Sequence, residues 1–144
     1  MNLNIPAKTI FFTIEKTIKS YRKFSQKNIS KIVGDITIDQ KLILQYLNEY
    51  PDLNQKEIAE LVFKDNASMT RMIEIMVKKK LLRRSLNKKD RRTYTIEITE
   101  KGKEILIKLP PVILSNRNKA LEGVTEEELI QLEQTLNKII SNIN

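Results

Sequence analysis

Apolar residues recur with a helical period along most of this chain, and with a period of two in one short stretch. Ile10, Ile14, Ile18 and Tyr21 share one face, with Phe11 and Phe24 beside them, which predicts a long helix over about residues 7–27 with Pro6 in its first turn. Residues 28–36, which hold Gly34 and Asp35, read as a connection. Thr37 suits the cap of a second helix whose apolar face is Leu42, Ile43, Tyr46 and Leu47, and Pro51 stops it. Asn54 followed by Glu57 has the form of a capping box and opens a third helix carrying Ile58, Leu61 and Val62. Asp65 can cap a fourth, over residues 66–79, with Met69, Met72, Ile73 and Met76 as its buried face.

The period then changes. Residues 93–99 alternate, with Tyr94, Ile96 and Ile98 on one face and Thr95 and Glu97 on the other, the pattern of a half-buried strand. Its partner is residues 82–86, and Asn87, Lys88, Lys89 and Asp90 form the tip of the hairpin between them. Thr99 can cap a fifth helix. Pro110 and Pro111 fall inside its apolar pattern and supply no amide hydrogen, so a kink or break is expected there, as a signalling hinge or as a static bend. Thr125 with Glu128 is a regular capping box for the last helix. Its Leu129, Leu132, Leu136, Ile139 and Ile143 are spaced 3, 4, 3 and 4, a seam able to pair with another helix. The fold class is therefore mainly α with a small β-wing.

Composition narrows the function. A length of 144 residues, 40% hydrophobic and 31% charged, fits one globular domain or one domain with an oligomerisation extension. No run of about 20 apolar residues is present, and the start of the chain lacks the pattern of a secretory signal, so a cytoplasmic protein without a membrane partner is expected. With no Cys and no His, the chain lacks thiolate ligands, disulfides and the commonest general base and metal ligand. The acidic residues do not cluster as a metal site, and no Gly-rich phosphate loop exists. No catalytic residues, metal or cofactor are expected, and an enzyme is disfavoured.

Charge points to a partner. Residues 78–92 hold nine Lys or Arg and one Asp, which equals the whole net charge of +8; the other 129 residues hold 17 basic and 17 acidic side chains. A chain that is neutral except for one short segment has a surface suited to an anion. Duplex DNA, with one charge per ~1.7 Å of axis, is the dense candidate. An anionic membrane surface is the rival, but such a module places aromatics among its cations, and residues 78–92 contain none.

Two short helices joined by a tight turn and followed by a β-hairpin form a winged helix-turn-helix, whose second helix enters the major groove, about 12 Å wide. The stretch from Phe63 to Arg71, FKDNASMTR, resembles the recognition-helix signature of the MarR family of transcription regulators. Asp90-Arg91-Arg92, a strand and then Thr99-Glu100-Lys101-Gly102 resemble that family's wing and following helix. The resemblance covers residues 37–104 in order. It implies a winged helix-turn-helix lobe over 35–101, an N-terminal dimerisation helix over 1–34 and C-terminal dimerisation helices over 102–144. It further implies a homodimer that binds a pseudo-palindromic operator in double-stranded DNA, usually as a repressor.

The family's Asp-x-Arg wing motif falls on Asp90 and Arg92, where the Arg enters the minor groove and the Asp holds it; Arg91 takes the variable middle place and meets phosphate. The recognition-helix Thr-Arg pair falls on Thr70 and Arg71. Helical geometry agrees: with Met69, Met72, Ile73 and Met76 inward, Ala67, Arg71, Glu74 and Lys78 point away, and Ser68 and Thr70 lie on the flanks. The candidate DNA contacts are Asn66, Ala67, Ser68, Thr70, Arg71, Lys78, Lys88, Lys89, Asp90, Arg91 and Arg92. At least one of Lys78, Lys79 and Lys80 is expected to be only a solvated helix end. Where many relatives have Gly, this chain has Phe63 and Lys80, and a left-handed backbone at Lys80 would carry strain. The resemblance also implies a small aromatic or phenolic effector in a cleft between dimer helices and lobe. Ile14, Tyr21, Phe24, Leu42 and Tyr46 are its candidate lining, although the same residues would serve as core. The alternative is a regulator without a ligand, controlled by its abundance.

Overall fold

The computed structural model describes residues 5–90 and 94–144. Among these, six α-helices and one two-stranded antiparallel sheet follow in order: α1 Ile10–Val33, α2 Ile38–Glu49, α3 Gln55–Leu61, α4 Asn66–Lys78, β1 Leu82–Leu86, β2 Tyr94–Ile98, α5 Glu100–Ala120 and α6 Glu126–Ile143. The strands pair in register from Leu82 with Ile98 to Leu86 with Tyr94.

Caps set the helix starts. Thr37 with Gln40, Asn54 with Glu57 and Thr125 with Glu128 each form a reciprocal capping box, satisfying two otherwise unpaired backbone donors. Asp65 caps α4 and Thr99 caps α5 through single side-chain bonds.

Three expectations need correction. The first helix runs on to Val33, so the expected connection over residues 28–36 shrinks to 34–37. Ile29 and Val33 explain this: Ile29 sits with no exposed surface in the core, Val33 packs against that core one turn later, and Gly34 at φ 72° then ends the helix. Pro6 lies in a separate 3-10 turn, Pro6–Lys8, and Thr9 caps α1. Pro110 and Pro111 do not break α5. Both prolines and Ile107 are exposed, so water can reach the carbonyl the second ring leaves unpaired, while buried Ile105, Leu109 and Asn116 hold the helix on either side.

The core is built by α2, α3, α4, the base of the hairpin, and the adjoining halves of α1 and α5. Met69, Ile73 and Met76 of α4 have no exposed surface, and Met72 is half-buried at its margin. Ile96 is the buried residue of β2; Ile98 is half-buried and Tyr94 exposed, so the strand's apolar face is covered mainly at its centre. Helices α1 and α5 are pinned by a polar contact. Asn116, 2% exposed, donates to the Ser25 hydroxyl at 3.2 Å and accepts from the Asn28 amide at 2.8 Å. A buried amide satisfied at one register resists sliding of the two helices. Helix α6 has no buried residue.

Candidate nucleic-acid interface

The inward face of α4 turns Ala67, Arg71, Glu74 and Lys78 to solvent, together with Asn66 at its start, while Ser68 and Thr70 are half-buried on the flanks. The Asp65 side chain accepts the Ser68 amide at 2.7 Å. That backbone bond, with the Ser68 side chain second, holds the Asp65 carboxyl below the ordinary carboxylate range. Arg71, about two turns into the helix, has nothing over it and can reach a guanine edge bidentately.

Thr70 is engaged internally. Its hydroxyl donates to the Asn66 carbonyl at 2.9 Å and accepts from the Gln55 amide at 2.7 Å; Gln55 also reaches the Asn66 side chain at 3.2 Å. Gln55 of α3 thus fixes the first turns of α4, a role no sequence signal indicated.

Both positions at which this chain replaces the Gly of many relatives are left-handed. Phe63 has φ 58° and Lys80 φ 62°. Phe63, 95% exposed, occupies the turn between α3 and α4. At Lys80 the strain is held by a clamp. The Thr99 hydroxyl donates to the Lys80 carbonyl, and the Lys101 ammonium to the Lys79 carbonyl at 3.0 Å. Gly102 packs so closely that a Cβ there would stand 2.6 Å from the Leu81 carbonyl oxygen. The Thr-Glu-Lys-Gly motif is therefore the fastening of the recognition helix's far end.

The three adjacent lysines divide by role. Lys78 is exposed. Lys79 folds back, donating to the Asp35 carbonyl at 2.7 Å and to Gln40 Oε1 at 3.0 Å, with the Asp35 carboxylate at 3.4 Å. It is the structural member of the run, and a more specific one than a solvated helix end. Lys80 is exposed.

In the wing, Lys88 and Lys89 stand exposed at the tip, where the Asn87 side chain accepts the Lys89 amide at 2.9 Å. Asp90 is half-buried beside them. Arg91 and Arg92 lie outside the described residues. Lower in the hairpin the Arg84 guanidinium sits 4.7 Å from the Tyr94 ring centroid, and Arg83 lies 3.9 Å from Glu97.

Of the residues expected to line an effector cleft, Tyr21 and Leu42 lie side by side at one cavity. They border a cavity of about 200 Å³ between α1, α2 and α5, with Arg22, Lys41 and Arg117 on its walls. Phe24 lines a second, more open depression along α1, with Tyr21 again. Ile14 and Tyr46 border neither, and Tyr46 packs against the core. Burial, followed by repulsion from Arg117 and Arg22, pushes the Lys41 ammonium below the ordinary lysine value.

Beside this cavity is a charged bridge that sequence reasoning missed. Asp39 of α2 bonds Arg22 of α1 through one oxygen and Lys64, in the turn before α4, through the other at 3.0 Å. Burial alone would raise its pKa, but the hydrogen bonds from Lys64 and Arg22, with their charges, hold the carboxyl below the usual value. Among the described residues no cluster of three metal-ligating side chains exists, and no helix is long and apolar enough to cross a membrane.

Known proteins share this arrangement. The S. aureus MepR–DNA complex superposes with a TM-score of 0.85 at 20% identity, covering 94% of this chain and 99% of that one. A mutant of E. coli MarR complexed with operator DNA gives 0.84 at 22% identity, covering 96% of each chain. Bordetella bronchiseptica BpsR, whose DNA binding is regulated by 6-hydroxynicotinic acid, gives 0.82 at 18%, covering 94% and 95%. Residues 36–94, most of the winged helix-turn-helix lobe, match the model of the MarR family. Over that lobe the chain matches the MarR family of transcription regulators, and as a whole it has the winged helix-turn-helix fold of these regulators.

Proposed function

We propose that this regulator is a cytoplasmic repressor that binds a pseudo-palindromic operator as a homodimer and is released by a small aromatic or phenolic effector. The observation that carries the DNA reading is the exposed line Ala67, Arg71 and Lys78 on a helix fastened at both ends, with lysines at the wing tip beyond it. In this reading Arg71 reads a base, Ala67 touches a thymine methyl, and Asn66, Ser68 and Thr70 set the helix against the duplex. Lys78, Lys88, Lys89 and Arg91 meet phosphate, and Asp90 orients Arg92 in the minor groove.

The homodimer reading rests on uncovered apolar surface. Ile10, Phe11 and Phe12 of α1 and Leu132, Ile140 and Ile143 of α6 are exposed in a single chain. A second copy seated on residues 1–34 and 102–144 would cover them and leave two 35–101 lobes free. The effector reading is supported by the cavity that Tyr21 and Leu42 border, and BpsR is an example of a similar fold under small-molecule control.

Selection of bound duplexes from a random pool tests the main claim. It should return an inverted repeat with half-site centres about 10–10.5 base pairs apart or a multiple of that. Recovery of no common motif, or of single unrepeated sites, would sink it. A thermal-shift screen of phenolic compounds without any hit would leave the ligand-independent regulator as the better reading.

A further inference from the structure

Asn66 and Thr70 stand one turn apart on the same flank of α4, and Gln55 reaches both from the start of α3. The hydrogens of this trio fix which way each amide points. The Thr70 hydroxyl has one hydrogen, which it donates to the Asn66 backbone carbonyl at 2.9 Å. Its oxygen can then only accept from Gln55, so Gln55 turns its nitrogen toward α4, at 2.7 Å from that oxygen. The second hydrogen of the same nitrogen meets the Asn66 side-chain oxygen at 3.2 Å. Asn66 therefore turns its acceptor end toward α3 and its amide nitrogen away from it. The side chain is exposed, and it is not spent on the helix cap, which Asp65 supplies through the Ser68 amide.

An unheld Asn can turn either end to a partner, and in the major groove it characteristically takes adenine with both, accepting from N6 and donating to N7. An Asn whose oxygen is held back offers hydrogens alone. Guanine presents two acceptors in that groove, O6 and N7, and thymine presents O4. Cytosine presents its N4 amino group, a donor that would face the Asn66 donor. Gln55 keeps its own oxygen as the free end. That oxygen is an acceptor and cannot bond a phosphate, so Gln55 is not itself a backbone contact.

We propose that Gln55 and Thr70 hold Asn66 as a hydrogen donor at the entrance of the recognition helix. This sets a preference for guanine or thymine over cytosine at one base position of each half-site, separate from the position that Arg71 reads. The assignment rests on the DNA reading above and deepens it, giving Asn66 a polarity and Gln55 a part in specificity. The N-terminal residues of a recognition helix are the ones that meet base edges, and Asn66 is the first residue of α4. Gln55 is a positioning residue, acting on the base only through Asn66. The orientation is built in the free protein, so its ordering cost is not charged against DNA binding.

The test is selection from a random duplex pool by the full-length protein and four variants. Asn66→Ala locates the position, where preference should fall about fivefold, the size of one hydrogen bond. Asn66→Asp can only accept, so it marks the opposite pattern, cytosine or adenine on the same strand. The wild type should disfavour the base pairs that Asn66→Asp selects. Gln55→Glu keeps the side chain's size but makes it an acceptor, which should turn the Asn66 amide end for end. Its preference at that position should move to the Asn66→Asp pattern, while the position of Arg71 stays as it was. A purely structural Gln55 would instead lower affinity for all sequences and leave the pattern alone. Thr70→Val removes the oxygen that orients Gln55, and should leave the position without a choice between the two patterns even if Gln55→Glu folds poorly. A wild-type pattern in Gln55→Glu or in Thr70→Val overturns the proposal, as does a wild type that shares the pattern of Asn66→Asp. Selection of no common motif by the wild type would strike the DNA reading itself, so the two failures are distinguishable.

Discussion

Met69 and Leu132 are both apolar side chains repeated at helical spacing, yet Met69 has no exposed surface and Leu132 is 54% exposed. The contrast holds for the regions around them. Among the described residues, every buried aliphatic or methionine side chain falls between Ile29 and Leu109. The first turns of α1 and the whole of α6 contain none. The lobe closes its own core, so its order is a property of one chain. The outer helices carry an apolar face that one chain leaves in water, which is the face the proposed dimer would cover.

The largest expected effects come from making a disruptive change in each region. Leu136→Asp on the α6 seam should dissociate the dimer and lower operator affinity. Burial of each such side chain is worth about 1.5–3 kcal/mol, and a two-fold interface contains the substitution twice. Sedimentation velocity should show a monomer whose far-ultraviolet dichroism keeps the signal of the folded lobe. Ile73→Ala in α4 should act on the chain itself, lowering unfolding stability by about 2–5 kcal/mol, because Ile73 is fully enclosed. A wild type that sediments as a monomer at micromolar concentration would erase the distinction between the regions.

Within the lobe, the contrast sharpens between the two faces of α4. Arg71→Ala removes a side chain that supports no part of the core, so it should leave the melting temperature in place. It should cost about 1–3 kcal/mol of operator binding and relax preference at one base position per half-site. Unchanged affinity and unchanged preference in a binding-site series would mean that α4 does not read the groove through Arg71.

Much of this arrangement was legible in the sequence, because it is specified locally. Caps announce themselves within four residues, as Asn54 with Glu57 and Thr125 with Glu128 do, and the change of period at the hairpin marked β1 and β2 to within a residue. The end of α1 was harder to read, since the polar stretch 25–28 separates Ile29, Ile32 and Val33 from the apolar residues before it. The groups that fasten the recognition helix were not legible. Lys79 is indistinguishable in sequence from its exposed neighbours, and the partners of Asp39 lie 17 positions before it and 25 after it, at Arg22 and Lys64. Such contacts exist only once the helices have packed. The cavity walls were legible only in part for the same reason: α1 and α2 were identified, but which of their faces border the cavity depends on α5.

A smaller effect separates Lys79 from the cations of the wing. Lys89→Ala should weaken binding to all sequences alike and reduce the slope of log affinity against log salt by roughly one for each phosphate no longer neutralised. Lys79→Met should leave that slope unchanged, because its ammonium is committed to Asp35 and Gln40. Its cost should appear in the melting temperature and in specific affinity. A salt slope that fell in Lys79→Met as it does in Lys89→Ala would place Lys79 among the phosphate-binding cations.

The smallest effect is a dependence on acidity at the junction of the two regions. The Asp39 carboxyl titrates below its ordinary value of 3.8, since the bonds from Lys64 and Arg22 outweigh the burial that opposes them. A group whose folded pKa is depressed binds its proton more readily in the unfolded chain. Its contribution is therefore complete above the unfolded value and is lost as pH falls through the folded one. Lys41 shifts stability in the same direction but at alkaline pH: its folded pKa is also lowered, so the cost of its burial eases as pH rises toward 10.5. Urea midpoints of wild type and Asp39→Asn should consequently differ by a constant amount at neutral and mildly acidic pH. The difference should narrow once pH drops below about 3.8, as the wild-type carboxylate takes up its proton. The pair is partly open to solvent, so the gap should be modest and should shrink with added salt. A gap that stayed constant through the acid limb would show that the Asp39 charge contributes nothing to holding the lobe against α1.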